Sequence, residues 1–205
     1  YVWFHPKVGL WLGATPETLL NVEGDNFKTM SLAGTQVYQE NKNPKWKSKE
    51  LEEQQLVTYF IENQLKPISS NLKIDGTETI RAGNLLHLRT RVEGKLSASA
   101  NLEQLIRAIH PTPAVCGLPR KPAKEFILEN EGYNRTFYTG FLGELNLEST
   151  LKSKTKSQLF VNLRCMSIEN KTATVYVGGG ITKDSIAENE YEETVSKSKT
   201  MKTVL

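Results

Sequence analysis

The chain has 205 residues, 38% hydrophobic and 24% charged, with a formal net charge of +3. That is the balance of a folded domain with one sizeable core, with no basic stripe for nucleic acid and no run of about 18 apolar residues to cross a bilayer, so nucleic acid and membrane are excluded as expected partners. Cys116 and Cys165 stand in unrelated contexts without metal-ligand spacing, so a reducing cytoplasm is the expected compartment.

Tyr1 to Phe4 reads as a strand, His5-Pro6-Lys7-Val8-Gly9 as a turn and Leu10 to Ala14 as the return strand. Pro16 biases Thr15 toward extended geometry and puts Glu17 at a strand end. Leu19 to Val22 and Phe27 to Leu32 flank Glu23-Gly24-Asp25-Asn26, a hairpin signal. Ala33-Gly34-Thr35 ends the second strand, and Gln36 to Lys45 is a polar loop. Pro44 opens a long helix that stops before Pro67, with Leu56, Phe60, Ile61 and Leu65 as its buried stripe. Leu85 to Val92 is a strand holding His87. Asn101 caps a helix whose Leu102, Leu105, Ile106 and Ile109 share a face. The segment from His110 to Gly117 reads as a rigid, proline-rich loop, and Lys121 to Glu131 as a shorter helix. The final sheet region begins with Phe137 to Leu147. Gln158 to Met166 reads as one continuous strand, with Arg164 in mid-strand needing an anionic partner.

The last stretch is the richest in chemistry. A strand from Thr172 to Val177 runs into Gly178, Gly179 and Gly180, whose backbone N–H groups can approach a ligand closely. An acidic helix follows, with Glu190 and Glu193 three residues apart on one face and Lys197 a turn further on. Acids and lysines on a helix ordinarily make a solvated face. A second pair with the same spacing, Glu50 and Glu53, changes the reading: two such faces meeting across one hard divalent cation are stabilised, and without a cation they repel. Strands at both ends with helices between them predict one mixed α+β domain over residues 1–205, built on large antiparallel sheets with flanking helices.

The ordered set TPETLL, SLAGT, KELEEQQLV, HPTPAVCGLP, YNRTFYTGFLGEL, VNLRCM, VGGGI and ENEYEETVSKSKTM resembles the chorismate-utilising enzymes, from about Leu10 to the C-terminus. That family includes isochorismate, salicylate, anthranilate and aminodeoxychorismate synthases, and the resemblance implies the fold of anthranilate synthase component I. HPTPAVCGLP is most similar to isochorismate synthases of the menaquinone type, and QLVTYFIEN lacks the MLVDLxRND pattern of the anthranilate enzymes. Salicylate synthase is the alternative within the family, and a non-catalytic chorismate-binding module the alternative outside catalysis. Menaquinone and siderophore pathways both stay open.

The resemblance implies a role for each matching residue. Glu53 and Glu193 correspond to Mg²⁺ carboxylates, with Glu50 and Glu190 as their helical companions. Glu17 corresponds to the general acid for the leaving 4-hydroxyl. Gly34, Arg164, Lys197 and the Gly178, Gly179 and Gly180 amides correspond to binders of chorismate or isochorismate, and His87 and Thr112 to the pocket wall. Water would attack C2 while hydroxide leaves C4, so Glu17 needs a pKa raised by desolvation. The family's water-activating lysine has no match ahead of Glu17, Lys7 lying in a turn. The expectation is therefore a C-terminal portion of a longer synthase, inactive alone and prone to self-association.

Overall fold

The computed structural model describes residues 1–40, 43–148 and 155–205. Its elements in chain order are β1 (Val2–His5), β2 (Gly9–Gly13), β3 (Thr18–Glu23), β4 (Asn26–Val37), α1 (Ser48–Leu65), a 3-10 turn (Lys66–Ile68), β5 (Ser69–Ile74), β6 (Glu78–Ala82) and β7 (Leu85–Leu96). They continue with α2 (Leu102–Ile109), α3 (Pro113–Cys116), α4 (Arg120–Asn130), β8 (Phe141–Glu148), β9 (Thr155–Val161), β10 (Cys165–Glu169), β11 (Thr172–Tyr176) and α5 (Ala187–Lys202).

Two antiparallel sheets form among the described residues: a seven-stranded sheet in the order β5-β7-β4-β3-β9-β8, with β6 also on β7, and a four-stranded sheet in the order β1-β2-β10-β11. The helix α1 lies on β4 and β7 and also meets α2. It buries Val57, Phe60, Ile61 and Leu65 against Leu19, Leu20, Val92, Leu105 and Leu159. Each fully buried Leu or Ile contributes about 1.5–3 kcal/mol of transfer free energy, enough to fix α1 on the sheet. The helix α2 starts as its sequence demands: Asn101 Oδ1 accepts from Gln104 N and Gln104 Oε1 from Asn101 N, both at 2.9 Å.

The chain passes between the two sheets at places that matter for the site. Residues 14–17 carry it from β2 to β3, and Asn162 to Arg164 carry it back from β9 to β10. The two crossovers lie side by side, with Val161 N donating to Glu17 O at 3.0 Å and Ala14 N to Arg164 O at 3.1 Å. Glu17 and Arg164 thus stand in one seam between the sheets.

Several sequence expectations are corrected. The continuous strand over Gln158 to Met166 is broken at this seam. Asn162 pairs its backbone with the 139–140 loop, its side chain is held by Tyr1 and Phe137, and Arg164 takes a left-handed φ of 46°. Gly34 does not end its strand, because β4 continues to Val37 through a register shift between Ala33 and Thr35. The expected polar loop therefore starts later, and its residues 41 and 42 lie outside the described ones. Helix α1 begins at Ser48 rather than Pro44, where Glu50 Oε2 accepts from Lys47 N at 2.9 Å. Leu56 is 46% exposed and leaves the buried stripe, while Gln54 enters it. Gln54 Nε2 meets Ser31 Oγ at 2.9 Å and Thr90 Oγ1 at 3.1 Å. The expected loop after His110 winds into α3.

Candidate active site

A cavity of about 680 Å³ opens along the seam between the sheets. Glu17 and Arg164 enter it from the crossovers, Gly34 and His87 from β4 and β7, Glu53 from α1, and Gly178 to Gly180 and Lys197 from the C-terminal segment. The α3 and α4 region adds an apolar wall of Ala114, Val115, Phe126 and Ile127. The cavity therefore combines charged groups with an apolar wall, which suits a small organic acid.

The bulge at Gly34 links three parts of the site. Its φ of +72° is costly for residues with a Cβ, and a Cβ there would stand 3.1 Å from Glu50 Cβ and 3.2 Å from Glu50 O. The Gly34 backbone N–H donates to the Glu53 carboxylate, and its carbonyl lies 3.2 Å from His87 Nδ1. On the other side of the ring, His87 Nε2 is 2.8 Å from Arg164 Nη2. A guanidinium only donates, so Nε2 accepts and the proton sits on Nδ1, facing Gly34 O. Burial first, and the Arg164 charge second, push the His87 pKa down to about 4, so the ring is neutral. The side-chain bonds of Arg164 go to His87 and, at 3.4 Å, to Ala82 O. No carboxylate of the described residues pairs with Arg164, which leaves the guanidinium available to an anionic ligand.

Carboxylates from α1 and α5 converge at the glycine run. A Cβ on Gly180 would lie 2.8 Å from Glu53 Oε1, and one on Gly179 would lie 3.7 Å from Glu190 Oε2 and 3.8 Å from Glu193 Oε1. Lys197 Nζ bridges Glu193 Oε1 at 2.7 Å and Gly178 O at 3.0 Å, and Lys49 Nζ is paired with Glu190 Oε1. Burial and then the Glu193 charge push the Glu53 carboxyl up; Lys197, Lys49 and the Gly34 N–H pull back without cancelling them. Burial also raises Glu190, but hydrogen bonds from Lys49 and Ser185 outweigh it and hold that carboxyl below its usual range.

Among the described residues no three acidic, imidazole or thiol groups are already closed into a ligand set. Magnesium is commonly held by only one or two protein carboxylates plus water and ligand oxygens. Two glutamates that repel each other beside a loop with no side chains fit it by donor type and by space.

Glu17 is 3% exposed and lines the cavity. Its carboxyl makes no hydrogen bond or ion pair among the described residues, and burial alone drives its pKa up to about 8. Burial thus favours the protonated form of this carboxyl at neutral pH.

The other expected residues fall less neatly. Thr112 is buried with its hydroxyl unpartnered, and it is not among the residues that line the cavity. Glu50 is occupied at the start of α1. Glu190 and Glu193 approach Gly179 without lining the cavity. Sequence reasoning missed Tyr138, which is buried, lines the cavity and has its hydroxyl 2.8 Å from where a Gly178 Cβ would be. It also missed Lys49, although the four-residue step from Lys49 to Glu53 marks a same-face pair. Arg135 and Glu131, a further ion pair, close the cavity beside Thr139.

Residues 3–205 match the family model described as chorismate binding enzyme. The isochorismate synthase DhbC of Bacillus subtilis is 31% identical over 200 residues, covering 93% of this chain and 49% of that protein. The solved structure of MenF, the menaquinone-specific isochorismate synthase of Escherichia coli, aligns with a TM-score of 0.82 at 28% identity, covering 96% of this chain and 46% of that one. Anthranilate synthase component I of Streptococcus pneumoniae aligns with a TM-score of 0.81 at 28% identity, over 98% and 46%. The chain spans about half the length of the curated relatives it matches.

Proposed function

This chain belongs to the chorismate-binding enzyme family, and from that membership and the cavity's geometry we propose that it carries the magnesium, carboxylate and general-acid parts of an isochorismate synthase. The observation that carries the proposal is Glu17. It is a buried carboxyl whose pKa burial pushes up to about 8, and it shares one cavity with Arg164, Lys197 and the Glu53 end of a carboxylate pair.

In this reading Arg164, held by neutral His87, grips one carboxylate of chorismate with two parallel N–H donors. The Gly178 to Gly180 amides and Lys197, which line the same cavity, receive a further anionic oxygen. Glu53 and Glu193, with Glu190 beside them, would hold Mg²⁺, which would supply positive charge to a carboxylate of the ligand. Glu17 gives its proton to the C4 hydroxyl, which leaves as water while another water adds at C2. The apolar side chains of α3 and α4 would lie against the allylic ring.

The base that activates the attacking water is assigned to no residue of this chain. Lys7 sits in the exposed turn between β1 and β2, outside the cavity. The chain alone is therefore expected to bind chorismate without converting it, while a complete synthase containing it converts chorismate to isochorismate. Chromatography of the products made by the complete enzyme with chorismate and MgCl₂ tests this. Isochorismate that disappears in Glu17→Gln supports the proposal. Salicylate or an aminated product, or full activity in Glu17→Gln, contradicts it.

A further inference from the structure

The carboxylate cleft already contains a cation of its own. Lys49 sits in the first turn of α1, one turn before Glu53, and reaches across to Glu190 on α5. The Glu190 side chain is 8% exposed and that of Lys49 24% exposed, so this contact is largely withdrawn from water. The ammonium of Lys49 also acts electrostatically on Glu193 and Glu53. Lys197 is differently engaged, between Glu193 and the Gly178 carbonyl.

Charge balance sets how readily this cleft takes up a metal. With all five ionised, Glu53, Glu190 and Glu193 set against Lys49 and Lys197 give this group of side chains one net negative charge. A divalent ion entering alone turns that into one net positive charge, which a partly desolvated cleft resists. A divalent ion entering with a ligand carboxylate leaves it neutral. Without the Lys49 charge, the metal alone would already reach neutrality. It would also find the Glu190 oxygen free.

We propose that Lys49 is a tethered counter-cation that competes with the divalent ion for the α1–α5 carboxylates and so makes metal capture depend on a dianionic ligand arriving with it. This rests on the proposed role of magnesium at Glu53 and Glu193 and adds a positioning residue to it. The metal affinity of the free site is held down, and the metal and the organic dianion bind with positive coupling.

Calorimetric titration of MgCl₂ into the chain, alone and with saturating chorismate, tests this for the wild type, Lys49→Met and Lys49→Arg. In the wild type, chorismate is expected to tighten Mg²⁺ binding by roughly tenfold or more, within the usual range of such couplings. Lys49→Met should bind Mg²⁺ roughly tenfold more tightly than the wild type without chorismate, and its coupling should shrink to about threefold or less. Lys49→Arg, which keeps the charge, should behave as the wild type. If the Met variant does not fold, Lys49→Gln keeps a hydrogen bond to Glu190 without the charge and takes its place. An Mg²⁺ affinity in the uncharged variant equal to or weaker than that of the wild type overturns the role of Lys49 alone. No Mg²⁺ binding in any of the proteins, with or without chorismate, overturns the magnesium reading as well.

Discussion

Replacing Glu17 by Gln removes one ionisable carboxyl from the seam and leaves its size almost unchanged. The native carboxyl titrates at about 8 against an ordinary value of 4.5, with burial as the cause. Below pH 4.5 both folded and unfolded chains carry the proton, and the group costs nothing. Between 4.5 and 8 the unfolded chain releases the proton and the folded chain keeps it, so stability falls as pH rises. Above 8 the loss is complete. A separation of about 3.5 pK units corresponds to about 5 kcal/mol at about 1.36 kcal/mol per unit. Relaxation and water entry in real interiors lower such penalties, so Glu17→Gln should gain about 2–4 kcal/mol over the wild type at pH 8. For a chain of this length that raises Tm by roughly 5–15 °C. Urea and thermal melts of both proteins between pH 4 and pH 9 give the difference curve directly. It should be near zero at pH 4 and grow toward pH 8, while the same substitution abolishes turnover in a complete synthase. A variant no more stable than the wild type at pH 8, with a flat difference curve, would refute the claim that Glu17 is a desolvated acid.

His87 should show the opposite slope. Its pKa is lowered from 6.5 to about 4, so the stability it contributes is present above 6.5 and lost as pH falls through 4. Nitrogen-15 NMR of the ring should show a neutral Nδ1-protonated tautomer at pH 6, and His87→Phe should weaken chorismate binding by removing the acceptor that aims Arg164. Gly180→Ala places a Cβ 2.8 Å from Glu53 Oε1; Mg²⁺ affinity in calorimetry should fall by about tenfold or more, the scale seen when a metal site's supporting shell is disturbed, with Tm nearly unchanged. The edge strands β1 and β8 expose Val2, Phe4, Leu145 and Leu147. Sedimentation velocity should therefore show self-association of the chain alone, reduced by Leu145→Lys.

Much of the site was legible because helical periodicity survives folding. The three-residue spacing of Glu190 and Glu193, and the further four residues to Lys197, give one face whatever α5 packs against. The Glu50–Glu53 spacing placed a second acidic face on α1, although the structure splits its duties: Glu50 stabilises the helix start and Glu53 enters the cavity. What failed were readings that depend on partners distant in sequence. Alternation from Leu159 to Cys165 looks like one strand, and nothing local shows that Asn162 will pair with the 139–140 loop and turn Arg164 toward His87. Leu56 and Thr112 were misassigned for a similar reason. Leu56 lines the cavity, half-exposed, instead of entering the core, and Thr112 is buried off the cavity lining at the start of α3. The strands β5 and β6 were not foreseen because their polar, mostly exposed residues are held by pairing to β7 rather than by burial.

The proposal that Glu53 and Glu193 converge on one magnesium ion beside Arg164 and Lys197 is tested most directly by crystals of the chain grown with MnCl₂ and chorismate. Anomalous scattering should show a single manganese peak between the two carboxyl groups at Gly179 and Gly180, with a chorismate carboxylate completing its coordination. A peak elsewhere on the chain, or chorismate bound in the cavity with no metal between those glutamates, would contradict it.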